Sequence, residues 1–275
     1  MFTFPVTMFS EAILAWNLGS FSYSGDSFSV DAQDSLPQDL FFKPDGPKFF
    51  LAGSGTSNIF QYSMSTPFDI TTASYDSKLF DVSAEDSAPI GLWFKPDGTK
   101  MYVFGAVTDD VFQYTLSTPW DVSTASYDSK SFSFTDQDTG ITGGAFNADG
   151  TKMYALGITT NDRIYQYTLS VAWDVSTASY DTKFLDFSSE GTDVLGMFFG
   201  NNGNTVFITD AASDNIFQYN LSTTDDISTA SYSGLSLDIS GESDISTDVH
   251  FASDGRALFI TDRTGAVGIV YKYTV

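Results

Sequence analysis

The chain contains no cysteine. That excludes disulfides, thiol catalysis and cysteine-ligated metal, although a chain this long can bury enough apolar surface to fold without covalent staples. There is a single histidine, His250. It leaves no histidine cluster for zinc, and no supporting motif completes a Ser-His-Asp set around it. Basic residues are scarce, 12 Lys and Arg against 35 Asp and Glu, for a net charge of -23. A chain so short of positive charge argues against recognition of nucleic-acid backbones and docking on anionic lipid, which both need clustered Lys or Arg. It suits a salty or extracellular medium, where screening relieves self-repulsion. No apolar run approaches the roughly 18 residues of a membrane-spanning helix, so no membrane insertion is expected. The opening stretch, MFTFPVTMFSEAILAW, is apolar but has no Lys or Arg, which makes it a poor signal peptide.

What is abundant points to β structure. Hydrophobic residues make up 42% of the chain and aromatics 16%, including 26 Phe and 14 Tyr. Aromatic and β-branched enrichment among many Gly, Asp, Ser and Thr favours an all-β protein. The chain also repeats itself. Residues 91–133, GLWFKPDGTKMYVFGAVTDDVFQYTLSTPWDVSTASYDSKSFS, recur in worn copies about every 52 residues, a period that means blades or solenoid turns.

Each copy has the same grammar. Phe42-Lys43-Pro44-Asp45-Gly46 returns as Phe94-Lys95-Pro96-Asp97-Gly98 and Phe146-Asn147-Ala148-Asp149-Gly150, with weaker versions at 199–203 and 251–255. Pro presets one corner of a tight hairpin and Gly takes the positive φ that closes it. The flanks read as strands A and B. Strand C follows as Ile59-Phe60-Gln61-Tyr62 and its copies. A connector such as Trp120-Asp121-Val122-Ser123-Thr124-Ala125-Ser126-Tyr127 then leads into strand D. Four meandering strands per repeat predict a β-propeller. The strands are apolar on both faces, as expected where each blade is sandwiched between two neighbours.

The ends complete the count. The chain finishes at Tyr273-Thr274-Val275, a strand C. Ala15-Trp16-Asn17-Leu18-Gly19-Ser20-Phe21-Ser22-Tyr23 matches the connector Ala172 to Tyr180. The expected fold is thus a single five-bladed β-propeller over 13–275. Its last blade would combine C-terminal strands A, B and C with an N-terminal strand D at residues 26 to 32, which removes free sheet edges. Residues 1–12 remain as a leader or docking arm.

The Phe-x-Pro-Asp-Gly turn followed by Lys-Met-Tyr-Val resembles the PDG-type repeats of YVTN, lactonase-like and TolB-like β-propellers. The connector Trp-Asp-Val-Ser-Thr-Ala-Ser-Tyr is similar to repeats encoded by marine bacteriophages and bacteria. The second resemblance implies a virion or cell-surface component, hence an extracellular or virion-associated location. Propellers host enzymes, lectins and scaffolds alike, so neither resemblance implies an activity by itself.

In a meander the D-to-A and B-to-C connections share one rim of the disc, and the PDG turns and connectors share the other. The first rim is strongly acidic and is the expected ligand face. One series spaced by 52 residues lies there: Asp34, Asp86, Asp138, Glu190 and Glu242. Fivefold symmetry would set them in a ring, where Ca²⁺ or raised pKa values would relieve repulsion; capping of turns is the alternative role. A partial series in the B-to-C loops, Asp109, Asp162 and Asp214, joins Arg163 and Arg263 as candidate ligand contacts. Arg163 and Arg263 could meet an acidic glycan or pair with neighbouring Asp. His250 replaces Phe41, Trp93, Ala145 and Phe198 of the other copies and is expected between blades. Trp16, Phe68, Trp120 and Trp173 could stack on sugar rings, but the expected role is to plug the connector rim, with the following residue capping a turn; Asp225 breaks that series, so blade four should be looser there.

Near-identical repeats argue against catalysis, which needs different groups converging on one centre. The expected function is a non-enzymatic binding or structural module that engages a glycan or a surface or virion protein through its acidic rim. A secreted calcium-dependent lactonase-like hydrolase and a purely structural virion protein are the rivals.

Overall fold

The computed structural model describes residues 14–275; the leader expected at 1–12 lies outside them. Twenty strands follow in chain order. They are β1 (Ser22–Ser29), β2 (Pro37–Phe42), β3 (Lys48–Gly53), β4 (Asn58–Met64), β5 (Ala73–Asp81), β6 (Pro89–Phe94), β7 (Lys100–Gly105), β8 (Asp110–Leu116), β9 (Ala125–Ser133) and β10 (Ile141–Phe146). They continue as β11 (Lys152–Gly157), β12 (Arg163–Leu169), β13 (Ala178–Asp186), β14 (Val194–Gly200), β15 (Thr205–Asp210), β16 (Asn215–Leu221), β17 (Ala230–Asp238), β18 (Ser246–Phe251), β19 (Ala257–Asp262) and β20 (Ile269–Thr274). They form five antiparallel four-stranded sheets. Blade one is β2 to β5, and blades two, three and four follow in order. Blade five is β1-β20-β19-β18, so the N-terminal strand closes the C-terminal sheet. The innermost strands pack in a ring, β2 on β6, β6 on β10, β10 on β14, β14 on β18 and β18 on β2. The expected five-bladed propeller is the fold.

One boundary differs. The closing strand starts at Ser22, not at 26, because the Ala-Ser-Tyr segment already pairs with the end of the third strand in its sheet, as in Met64 opposite Ala73 and Leu116 opposite Ala125. A bulge then lets each outer strand run on. Its left-handed residue is Gly25, Ser77, Ser129, Thr182 or Gly234, with φ of 87°, 57°, 57°, 58° and 81°. The inner three strands are buried on both faces, whereas outer strands such as β5 alternate between exposed and part-buried residues. Blades splay apart with distance from the channel, so the outermost strand meets water most.

The two conspicuous sequence features pack on each other. The turn glycines Gly46, Gly98, Gly150 and Gly255 have positive φ, and a Cβ on any of them would collide with the ring of Phe68, Trp120, Trp173 or Trp16 respectively. Each ring-bearing residue also sits at positive φ and donates its backbone N–H to the turn glycine carbonyl, at 3.0 to 3.1 Å. A bulky residue in that conformation costs roughly 1–3 kcal/mol, offset here by ring-on-glycine packing and this hydrogen bond. The next residue, Asn17, Asp69, Asp121, Asp174 or Asp226, caps a single 3-10 turn. The connector aromatics therefore plug the rim as expected.

Adjacent blades are stitched by the glutamine of strand C. Gln61 Oε1 accepts from Val122 N (3.1 Å), Gln113 from Val175 N (3.2 Å), Gln166 from Ile227 N (2.9 Å) and Gln218 from Leu18 N (3.0 Å). Lysines of the outer strands add clasps to the next connector: Lys78 to Asp121, Lys130 to Asp174 and Lys183 to Asp226, each at 2.5 Å.

Candidate functional site

The five-carboxylate series does not form one set. Asp34, Asp86 and Asp138 are buried and staple two loops together. Asp86, for example, accepts from Ala88 N (2.8 Å) in its own loop and from Val107 N (3.2 Å), Thr108 N (2.9 Å) and Thr108 Oγ1 (2.8 Å) in the next. Glu190 and Glu242 instead accept from Tyr219 OH (2.9 Å) and Tyr273 OH (2.8 Å). Their counterparts are Gln33, Glu85 and Gln137, which take Tyr62, Tyr114 and Tyr167. The register slips because the B-to-C loop of blade three is one residue longer: Tyr62 and Tyr114 lie 52 apart, Tyr114 and Tyr167 lie 53 apart. In blades four and five the staple comes from the opposite strand. Asp210 accepts from Thr192 N, Asp193 N and Ser213, and Asp262 from Ser243 and Thr264. Where the loop supplies the carboxylate, the strand ends in Gly53, Gly105 or Gly157, and a Cβ there would lie inside that carboxyl group. Among the described residues no group of three or more His, Asp or Glu is arranged to hold a metal.

The B-to-C candidates are not gathered either. Asp109 is buried and accepts from Ile141 N of blade three (3.1 Å). Asp162 is pushed up from the ordinary carboxylate range by burial and by Asp186, Asp138 and Asp210. Burial, then Asp244, Asp238 and Asp210, does the same to Asp214, whose Oδ1 is buried without a partner among the described residues. Arg163 pairs with Asp186 (3.4 Å) and lies over the Phe184 ring (3.9 Å). Arg263 donates to Gln38 Oε1 (3.1 Å) across the joint between blades five and one.

Two concavities lie on the opposite rim. A cavity of about 160 Å³ at the PDG mouth of the channel is lined by Phe41, Trp93, Phe198 and His250, which occupy equivalent positions on strand A, and by Lys43, Pro44 and Pro96 of the turns. A second, of about 260 Å³, shares Trp93, Asn147, Ala148 and Ser253 with it and extends to Asp225. Two breaks in symmetry open this bowl. Ala145 is the small member of the strand A ring, and Asp225 stands where the other blades place an aromatic plug. Asp225 keeps the backbone bond to the turn, at 3.0 Å to Gly203, and accepts from Asn147 Nδ2 (3.2 Å). Trp93 is only part-buried although it packs against three of the five core clusters.

Inside the channel stand two carboxyls that the sequence reading passed over. Asp39 and Asp248 take equivalent positions on β2 and β18, where the other blades have Gly91, Gly143 and Gly196. Asp39 accepts from Leu92 N (2.8 Å) and Asp248 from Leu40 N (3.1 Å). Asp39 keeps some exposure, whereas Asp248 is buried. Burial lifts Asp39 to about 7, against its bonds from Leu92, Asp248 and Leu40. Burial, then repulsion by Asp39, lifts Asp248 well above the usual range. The signal that could have found them is the interruption of a glycine column. His250, two residues on, is buried among Phe41, Phe42 and Phe198, and burial pulls it down to about 3.

No known protein family matches the sequence, and no curated protein is similar to it in sequence. Solved structures are similar in fold. A provisionally assigned 6-phosphogluconolactonase from Bacteroides fragilis matches at a TM-score of 0.51 and 15% identity, over 74% of this chain and 55% of that one. Its counterpart from Bacteroides uniformis matches at 0.50 and 15%, over the same shares. A protein from Lactobacillus plantarum matches at 0.50 and 16%, over 71% and 53%. The chain spans about half the length of these structures, and at such identity the likeness is one of fold.

Proposed function

We propose that this propeller is a non-enzymatic binding module that takes a sugar ring of a glycan in the bowl at the PDG mouth of its channel. The part-exposed Trp93, opened to solvent by Ala145 and Asp225, carries the reading. An indole face beside polar Asn147, Asp225 and Ser253 suits the apolar face and hydroxyl edge of a sugar, and such stacking contributes about 0.5–1.5 kcal/mol beyond area burial. The strongly acidic surface fits an extracellular or virion-associated setting. A glycan array followed by titration calorimetry tests the assignment. Trp93→Ala should weaken binding about 10-fold, equal to about 1.4 kcal/mol. An array without hits, or a variant that binds as well as the parent, would sink the proposal and leave the purely structural role.

The second reading is a calcium-dependent hydrolase of lactonase type. It rests on the names carried by the first two structural neighbours. Turnover of a gluconolactone that needs Ca²⁺ and stops with a chelator would replace the first reading.

A further inference from the structure

The backbone of the blade four connector is built for an aromatic plug, yet its side chain is a carboxylate. Asp225 sits at φ 59°, against 58° to 66° for Phe68, Trp16, Trp120 and Trp173. Its N–H donates to Gly203 O at 3.0 Å, as theirs donate to their own turn glycines at 3.0 to 3.1 Å. Its carbonyl accepts from Tyr154 OH (2.8 Å), as that of Trp173 accepts from Tyr102 OH (2.8 Å). Asp226 then caps the 3-10 turn as its counterparts do. Four rings pack on their turn glycines in this frame. Blade four forgoes that packing, and a local rule broken without a structural gain marks a place where function sets the residue.

Other polar groups gather at the same spot. The blade four turn reads Gly200-Asn201-Asn202-Gly203 where blades one and two have Lys-Pro-Asp-Gly. Asn201, Asn202 and Asp225 line the cavity of about 260 Å³ together with Asn147 of blade three and the rings of Trp16 and Trp93. Asn147 holds the carboxylate in position. Its Oδ1 accepts from Lys152 N (2.9 Å), which fixes the amide, and its Nδ2 donates to Asp225 Oδ2 (3.2 Å). A carboxylate has about four acceptor positions, so Asp225 can take further donors from the cavity. None of the described residues lining this cavity is basic. Lys43, on the adjoining cavity, is paired with Asp45 (2.5 Å).

We propose that Asp225 is the specificity-determining residue of the bowl, and that it selects a neutral glycan by accepting from neighbouring sugar hydroxyls. This rests on the glycan-binding reading given above. Hydroxyl donors to a carboxylate make charge-assisted hydrogen bonds, the stronger kind. Trp93 stacks on the ring of the sugar, and Asp225 fixes which hydroxyls face it. A sialate, uronate or sulfate would set a second anion beside Asp225 with no cation in the cavity wall to offset it, so the same residue rejects acidic sugars.

A glycan array carrying neutral oligosaccharides beside their sialylated and sulfated forms, followed by calorimetry with the strongest neutral hit, tests this on the full chain. Neutral forms should bind about 10-fold or more tightly than their anionic counterparts. Asp225→Asn keeps the shape, loses the charge and should weaken the neutral hit about 10-fold. Asp225→Trp restores the plug of blades two and three. It should abolish binding while Tm stays at or above that of the parent, because the backbone frame for an indole is already in place. Unchanged binding by both variants, with Trp93→Ala still weakening it, would overturn the role of Asp225 and leave the bowl as the site. A preference for anionic forms would also overturn it. An array without hits takes down the glycan reading itself, and this inference with it. If Asp225→Trp fails to fold, Asp225→Asn and the ratio of neutral to anionic binding decide the matter.

Discussion

The exchange of a loop staple between two strands allows a quantitative test. In blade two the carboxylate is Asp86 and the strand end is Gly105; in blade four the strand end is Asp210 and the loop has Gly191. Asp86→Gly removes the acceptor of four hydrogen bonds. Bonds to a charged group contribute about 1.5–3 kcal/mol each, but these amides are only part-buried and water recovers much of that, leaving a loss of about 3 kcal/mol. At about 2–4 °C per kcal/mol for a domain of this size, Tm should fall by about 6–12 °C. Gly105→Asp alone drives a new side chain into the Asp86 carboxyl and sets two carboxylates together, for a loss of about 2–4 kcal/mol. The double variant rebuilds the arrangement of blades four and five and should lie within about 1 kcal/mol of the parent. The resulting coupling, about 4–8 kcal/mol, lies above the roughly 0.5–3 kcal/mol usual for contacting residues. Urea unfolding followed by tryptophan fluorescence measures it. A double variant no more stable than the sum of the single losses would refute the staple.

Two predictions concern the joints. Gln113→Ala leaves buried Val175 N without its acceptor and should cost about 1–3 kcal/mol in urea unfolding. The outer clasps should act on the acid side. Burial raises Asp121, Asp174 and Asp226, but bonds from Lys78, Lys130 and Lys183 and from Ser123, Ser176 and Ser228 outweigh it and hold all three below 3.8. Their contribution is present above the unfolded value and lost as pH falls through the folded one. Lys130→Met should therefore flatten the decline of Tm between pH 4 and 2, and an unchanged decline would count against the clasp. The loss of glycan binding by Trp93→Ala completes the set.

What could be read ahead of the structure was what is local. A Pro-Asp-Gly hairpin, a capped connector and four strand patterns each announce themselves within a few residues, and repetition multiplied them into five blades. The candidate sites were read less well. Spacing by 52 residues put Glu190 and Glu242 with Asp34, Asp86 and Asp138, because one extra residue in a blade three loop is invisible without the tyrosines that mark true register. The central glutamine of Phe-Gln-Tyr looked like an ordinary strand residue, since its partner amide belongs to the next blade.

The sequence by itself determined the propeller, its blade number and the way its ends meet, because short-range turn chemistry and a two-faced apolar pattern admit few other architectures. Only the tertiary structure decided where that ring is asymmetric. Part-buried Trp93 and Asp225, from different blades, come to line one cavity. Asp248 reaches Leu40 N on the inner edge of β2 because closing the ring brings β18 against it. Neither fact is written in any one repeat, since each depends on groups far apart in the chain meeting where water is excluded.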